Sequence, residues 1–128
     1  MDADRYRRYA PLLLRIGLSL VFLWFGVNQL INPEAFLGYV PQWAYNFPVS
    51  PPALIMGNAI FEIVFGTLLI FGMFTRVSSL LLGLHLIGIM VGLGYNDIAV
   101  RDFGLMLAAF SVVLYGPDEW SLDVKRKA

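Results

Sequence analysis

The sequence predicts an all-α membrane protein, a bundle of four transmembrane helices, on three observations: a composition too apolar for water, apolar stretches of membrane-crossing length, and an uneven distribution of positive charge. Of 128 residues, 59% are hydrophobic and 14% are charged, and the mean hydropathy is +0.71. Soluble domains carry roughly 25% charged residues. A bilayer core about 30 Å thick takes about 20 mostly apolar residues per helical crossing. The chain holds four such stretches, at about 12–31, 53–73, 77–95 and 100–116, in a single domain over 1–128. The absence of cysteine excludes disulfides, thiolate catalysis and cysteine-held clusters within the chain.

The first stretch follows an arginine-rich segment with Arg5, Arg7 and Arg8, and Tyr6 and Tyr9 suit the headgroup level. It is longer than a signal-peptide core, so it is expected to be a retained helix. It stops at Asn32-Pro33, because proline disfavours helical geometry in the residue before it. The 32–52 connection holds five prolines together with Phe36, Tyr39, Trp43, Tyr45 and Phe47. That many aromatic rings place it in the membrane interface, capping the bundle. The three-residue link Phe74-Thr75-Arg76 makes the second and third helices an antiparallel hairpin. Gly116-Pro117 ends the fourth.

Arg5, Arg7, Arg8, Arg76, Lys125, Arg126 and Lys127 fall on one side of this topology, and only Arg101 on the other. Positive charge marks the cytoplasmic side, which places both termini inside and the aromatic, proline-rich loop outside the plasma membrane. Arg15, one turn into the first helix, is expected to snorkel to the cytoplasmic face. The short basic ends suit anionic lipid, not nucleic acid. Gly88 and Gly92 form a G-x-x-x-G on the third helix, and Gly17, Gly26, Gly57, Gly66, Gly83 and Ala108 offer further surfaces for close helix approach.

Glu62 falls near the middle of the second helix, where an ionised side chain costs about 2.5–3.5 kcal/mol on insertion scales. It is therefore protonated, paired or wetted. His85, near the middle of the third helix, comes to nearly the same depth in an antiparallel hairpin, so the two side chains can meet. A histidine beside a carboxylate suits proton relay or hydrogen bonding to a quinone carbonyl, since one ring nitrogen donates while the other accepts. The same pair also suits a simple interhelical hydrogen bond. Asn58 lies one turn from Glu62 towards the outside, and Trp24, Asn28, Gln29, Tyr95, Asn96, Arg101 and Asp102 gather in the outer half. This polarity predicts a pocket opening outward, with Glu62 and His85 at its floor as catalytic candidates and the other eight as ligand-binding candidates. No metal spacing, nucleotide loop or Ser-His-Asp set is present.

Arg15-x-Gly17, Phe22-Leu23-Trp24-Phe25-Gly26, Gly57, Glu62, Gly66, Gly72 and Thr75-Arg76 occur in that order, followed by Arg101-Asp102, Ala108-Ala109, Gly116-Pro117 and Ser121-Leu122-Asp123. In these features the chain resembles the DoxX family of small four-helix membrane proteins. The family pattern has a lysine about three residues after the first-helix glycine; Gln29 stands there in this chain. The resemblance implies quinone-linked redox work, since members are associated by name with thiosulfate:quinone oxidoreductase and with membrane redox or oxidative-stress complexes. The expected function is a quinone-linked subunit of a membrane redox complex, with no intrinsic cofactor beyond a quinone and with electrons supplied by other subunits. Two alternatives stand beside it. One is a non-catalytic accessory or scaffold subunit, docked to other membrane proteins or to copies of itself; the other is a small transporter.

Overall fold

The computed structural model describes residues 3–127, with side chains through Lys125. The side chains of Arg126 and Lys127, which enter the charge reading above, lie outside that description. The helices are α1 (Ala3–Arg7), α2 (Tyr9–Ile31), α3 (Pro51–Phe71), α4 (Thr75–Leu93), α5 (Asp97–Tyr115) and α6 (Leu122–Lys127), and no strand occurs among the described residues. Four are long and apolar enough to cross a membrane: α2 together with the short α1 that leads into it, α3, α4 and α5.

The helix ends follow local chemistry. The backbone N–H of Asn32 still donates to Asn28 at 2.9 Å, and Pro33 then opens a 3₁₀ turn, Pro33–Tyr39, followed by a second, Gln42–Asn46. Ser50 caps α3 by accepting from the Ala53 amide, and Pro51 and Pro52 fill first-turn positions where the missing N–H costs nothing. The helix therefore starts two residues before the sequence reading places it. Its end is a Schellman arrangement around Gly72, with φ of 71°, in which Met73 donates to Leu68 and Gly72 to Leu69. Asn96 caps α5 through the Ala99 amide at 2.9 Å, which also starts that helix earlier than expected.

The four long helices form two closely packed pairs, α2 with α3 and α4 with α5, while α3 and α4 meet loosely despite their short link. Small residues explain the close pairs. On α2, a β-carbon at Gly26 would sit 3.1 Å from the Ala59 carbonyl and 2.7 Å from Ile63. On α4, one at Gly83 would lie 2.6 Å from the Phe110 ring. Gly17, Gly57 and Gly88, expected at helix contacts, have nothing within 4 Å of such a carbon, and Gly92 meets Pro41 of the loop. The G-x-x-x-G of α4 is thus not a helix-packing motif within this chain. The core joins both pairs through Leu18, Phe22, Leu69, Leu82, Leu86, Ala109 and Val112.

The two chain ends close the arginine-bearing end of the bundle together. Arg15 does not snorkel: its guanidinium is buried, pairs with Asp118 at 2.6 Å, and donates to the Leu69 and Ile70 carbonyls at 3.1 and 2.6 Å. Nearby, Arg8 pairs with Glu119, and Tyr9 stacks on Trp120 with centroids 5.2 Å apart. Asp123 accepts from the Phe74 and Thr75 amides at 2.8 and 2.7 Å and from the Thr75 hydroxyl at 2.7 Å. It serves as the cap that Phe74, the residue preceding α4, cannot supply, and it holds Phe74 at φ of 49°. Losing a cap side chain costs about 0.5–2 kcal/mol. Asp123→Ala is expected to fall at the upper end of that range, because two amides and a hydroxyl lose their partner; thermal unfolding in mild detergent measures it.

Candidate functional site

Where α3 and α4 diverge, a cavity of about 420 Å³ opens in the half of the bundle away from the arginine-bearing end. Its walls are largely apolar and aromatic: Phe22 and Phe25 from α2, Ile55 from α3, Leu86 and Ile89 from α4, and Leu105 from α5. The 32–52 loop roofs it with Tyr39, Pro41, Trp43 and the buried Ala44. The roof is fastened at two points. Pro41 sits in the notch left by Gly92, and the Arg101 guanidinium lies over the rings of Phe25 and Tyr39 at 5.0 and 6.0 Å.

The polar groups of the cavity come from all four long helices. Asn58 donates to Gln29 Oε1 at 2.8 Å and to Glu62 Oε1 at 3.0 Å, tying α2 to α3. His85 Nε2 lies 3.3 Å from the same Glu62 Oε1, so the tautomer protonated at that nitrogen donates across the loose α3–α4 seam. The imidazole also packs against the Phe61 ring at a tilt of 32°, centroids 4.7 Å apart. On α5, Arg101 donates to Asp102 Oδ1 at 3.2 Å, and Asp102 is buried. Glu62 is 4% exposed, and its second oxygen, Oε2, is the one buried side-chain polar atom among the described residues without a hydrogen-bond partner. Leaving such an atom unsatisfied costs about 1–3 kcal/mol.

Six of the ten residues singled out from the sequence line this cavity: Glu62, His85, Gln29, Asn58, Arg101 and Asp102. The other four do not. Asn28 turns back to the Trp24 carbonyl at 2.7 Å; Trp24 and Tyr95 are exposed; Asn96 serves as the α5 cap. The sequence reading did not single out Phe22, Phe25 and Leu86 as cavity walls. Phe22, Phe25 and Gln29 lie at helical spacing on one face of α2, but that signal is lost in a helix apolar on every side.

Helices and cavity together define an integral, multi-pass membrane protein with an aromatic-roofed pocket between its helices. The family model described as DoxX matches residues 10–95, from the start of α2 past the end of α4, and the chain belongs to the DoxX family. No curated protein and no solved structure matches the chain.

Proposed function

We propose that the chain is a quinone-linked subunit of a membrane redox complex and that the cavity holds the quinone ring against Glu62 and His85. The observation that carries this reading is the unpartnered Glu62 Oε2 at the wall of an otherwise apolar, aromatic cavity. A flat ring with an oxygen at its edge matches that surface, and 420 Å³ lies within the roughly 300–1,000 Å³ of small-molecule sites. When bound, a quinone supplies two-electron redox chemistry coupled to protons, with electrons coming from a partner subunit.

The residues of this chain bind the ring and handle protons. Glu62 Oε1 is engaged by Asn58 and His85, so Oε2 is the oxygen left to exchange a hydrogen bond or a proton with an oxygen on the ring. His85 shares Glu62's hydrogen bond and passes the proton onward. Gln29 and Asn58 hold the carboxyl in place, and the loop excludes water. In this reading the end bearing Arg5, Arg7 and Arg8 faces the cytoplasm, which its excess of positive charge supports, and the cavity lies in the outer leaflet of the plasma membrane.

Proton transfer by a positioned side chain contributes about 10²–10⁴-fold to a rate. Glu62→Gln, which keeps shape and hydrogen bonding but holds no transferable proton, is expected to slow quinone-linked turnover of the assembled complex about a hundredfold. Turnover equal to wild type in a complex of normal stoichiometry overturns the proton role.

A further inference from the structure

The cavity needs a route by which a water-insoluble ligand reaches it. The loop covers its outer mouth and is fastened by Pro41 on Gly92 and by Arg101 against Phe25 and Tyr39. The α2–α3 and α4–α5 seams are closely packed, at Gly26 against α3 and at Gly83 against Phe110. Two seams are loose, α2–α5 and α3–α4; at the level of the cavity the first is bridged by the Arg101 guanidinium over Phe25, and Gly88 lies one turn along α4 from His85, which meets Glu62 across the second. Gly88 both lines the cavity and is exposed, and a β-carbon there would have nothing within 4 Å. One turn further along α4, Gly92 is already covered by the loop, so Gly88 marks the level at which the roof ends. A side chain at this position would enter open space beside the cavity.

We propose that the cavity is filled sideways from the bilayer, through an opening between α3 and α4 whose sill is Gly88. Its ligands are uncharged, ring-bearing molecules dissolved in the membrane. This route rests on the reading that the cavity holds an apolar ligand, and it adds a specificity element: what enters must first partition into lipid. A ring arriving at Gly88 meets His85 one turn below and then Glu62 across the seam, so it reaches the unpartnered oxygen without crossing the aqueous phase.

Adamantyl diazirine, an apolar, ring-sized photolabel, tests the route in lipid nanodiscs, with labelled positions mapped by mass spectrometry. Phe22 and Leu86 are each 3% exposed and line the cavity, so label on them reports entry. Leu20 and Leu84 are exposed on the outside of the bundle and report contact with lipid. The wild type should be labelled at all four. Gly88→Phe should lose at least tenfold at Phe22 and Leu86 while keeping Leu20 and Leu84, the latter also showing that the variant is folded. Gly88→Leu, a smaller plug, is read the same way if Gly88→Phe loses the lipid-face pattern. Unchanged labelling of Phe22 and Leu86 in a folded Gly88 variant, or their absence from the wild-type pattern, overturns the route. Addition of a short-chain benzoquinone tests the functional reading separately. If the buried positions are labelled through Gly88 but the quinone does not compete, the route stands and the quinone assignment fails.

Discussion

Arg15→Met is expected to destabilise the bundle by about 3–5 kcal/mol, the range for removing one partner of a buried ion pair. Arg15 and Asp118 are 3% and 2% exposed, so the variant leaves a carboxylate with little water and no counter-charge. The Ile70 carbonyl, at the end of α3 where helical carbonyls run out of partners, loses the guanidinium as well, and the Leu69 carbonyl is left with the Gly72 amide. Replacing Arg15 with Met and Asp118 with Leu together should recover more than half of the loss, because an apolar pair of similar bulk avoids the isolated charge. Unfolding in mild detergent, followed by heating or by titration with a denaturing detergent, measures both. An Arg15→Met protein as stable as wild type would show that the pair is solvated in the membrane and contributes nothing.

Gly72→Ala is expected to cost about 2–5 kcal/mol. The left-handed backbone at φ of 71° accounts for about 1–2 kcal/mol when a side chain is added, and overpacking for about 1–3 kcal/mol. The overpacking has a specific target: the new carbon would lie 2.3 Å from Ser121 Cβ and 2.6 Å from its Cα, neither of which is the movable end of a side chain. Relief requires the 121–123 segment to lift away. That breaks the Asp123 amide bond to the Gly72 carbonyl and withdraws the cap from α4. Faster tryptic cleavage at Lys125 should therefore accompany the loss of stability. Gly57→Ala, where the added carbon meets nothing within 4 Å, serves as control and should stay within about 0.5 kcal/mol.

The helices were legible in the sequence because length and hydropathy suffice to define a crossing, and the all-helical fold with four such spans followed from them. Depth was legible too. Counting from the Phe74-Thr75-Arg76 link brings Glu62 and His85 to one level, and their side chains lie 3.3 Å apart. Orientation around each helix was not. Asn28 and Gln29 are neighbours in sequence, yet Gln29 faces the cavity and Asn28 folds back on its own helix. Both are polar and adjacent near the end of a largely apolar helix, so hydropathy gives little contrast to tell them apart. The Arg15–Asp118 pair was out of reach because it spans 103 residues and depends on how the segment after α5 turns back. The sequence reading of Arg15 considered only the nearest water. Glycine proved ambiguous in the same way: the pair at Gly88 and Gly92 has the spacing of a helix contact, but one residue borders a gap and the other receives a loop proline.

The closure of the arginine-bearing end also sets an order in time. Arg15 enters the membrane with the first helix, while its counter-ion is made 103 residues later. At about 5–20 residues per second the interval is roughly 5–20 s. Until α3 brings the Leu69 and Ile70 carbonyls, the guanidinium depends on lipid phosphate, water or the insertion machinery, and its counter-charge comes only with Asp118. The segment after α5 thus acts late in biogenesis, turning four inserted helices into one closed bundle.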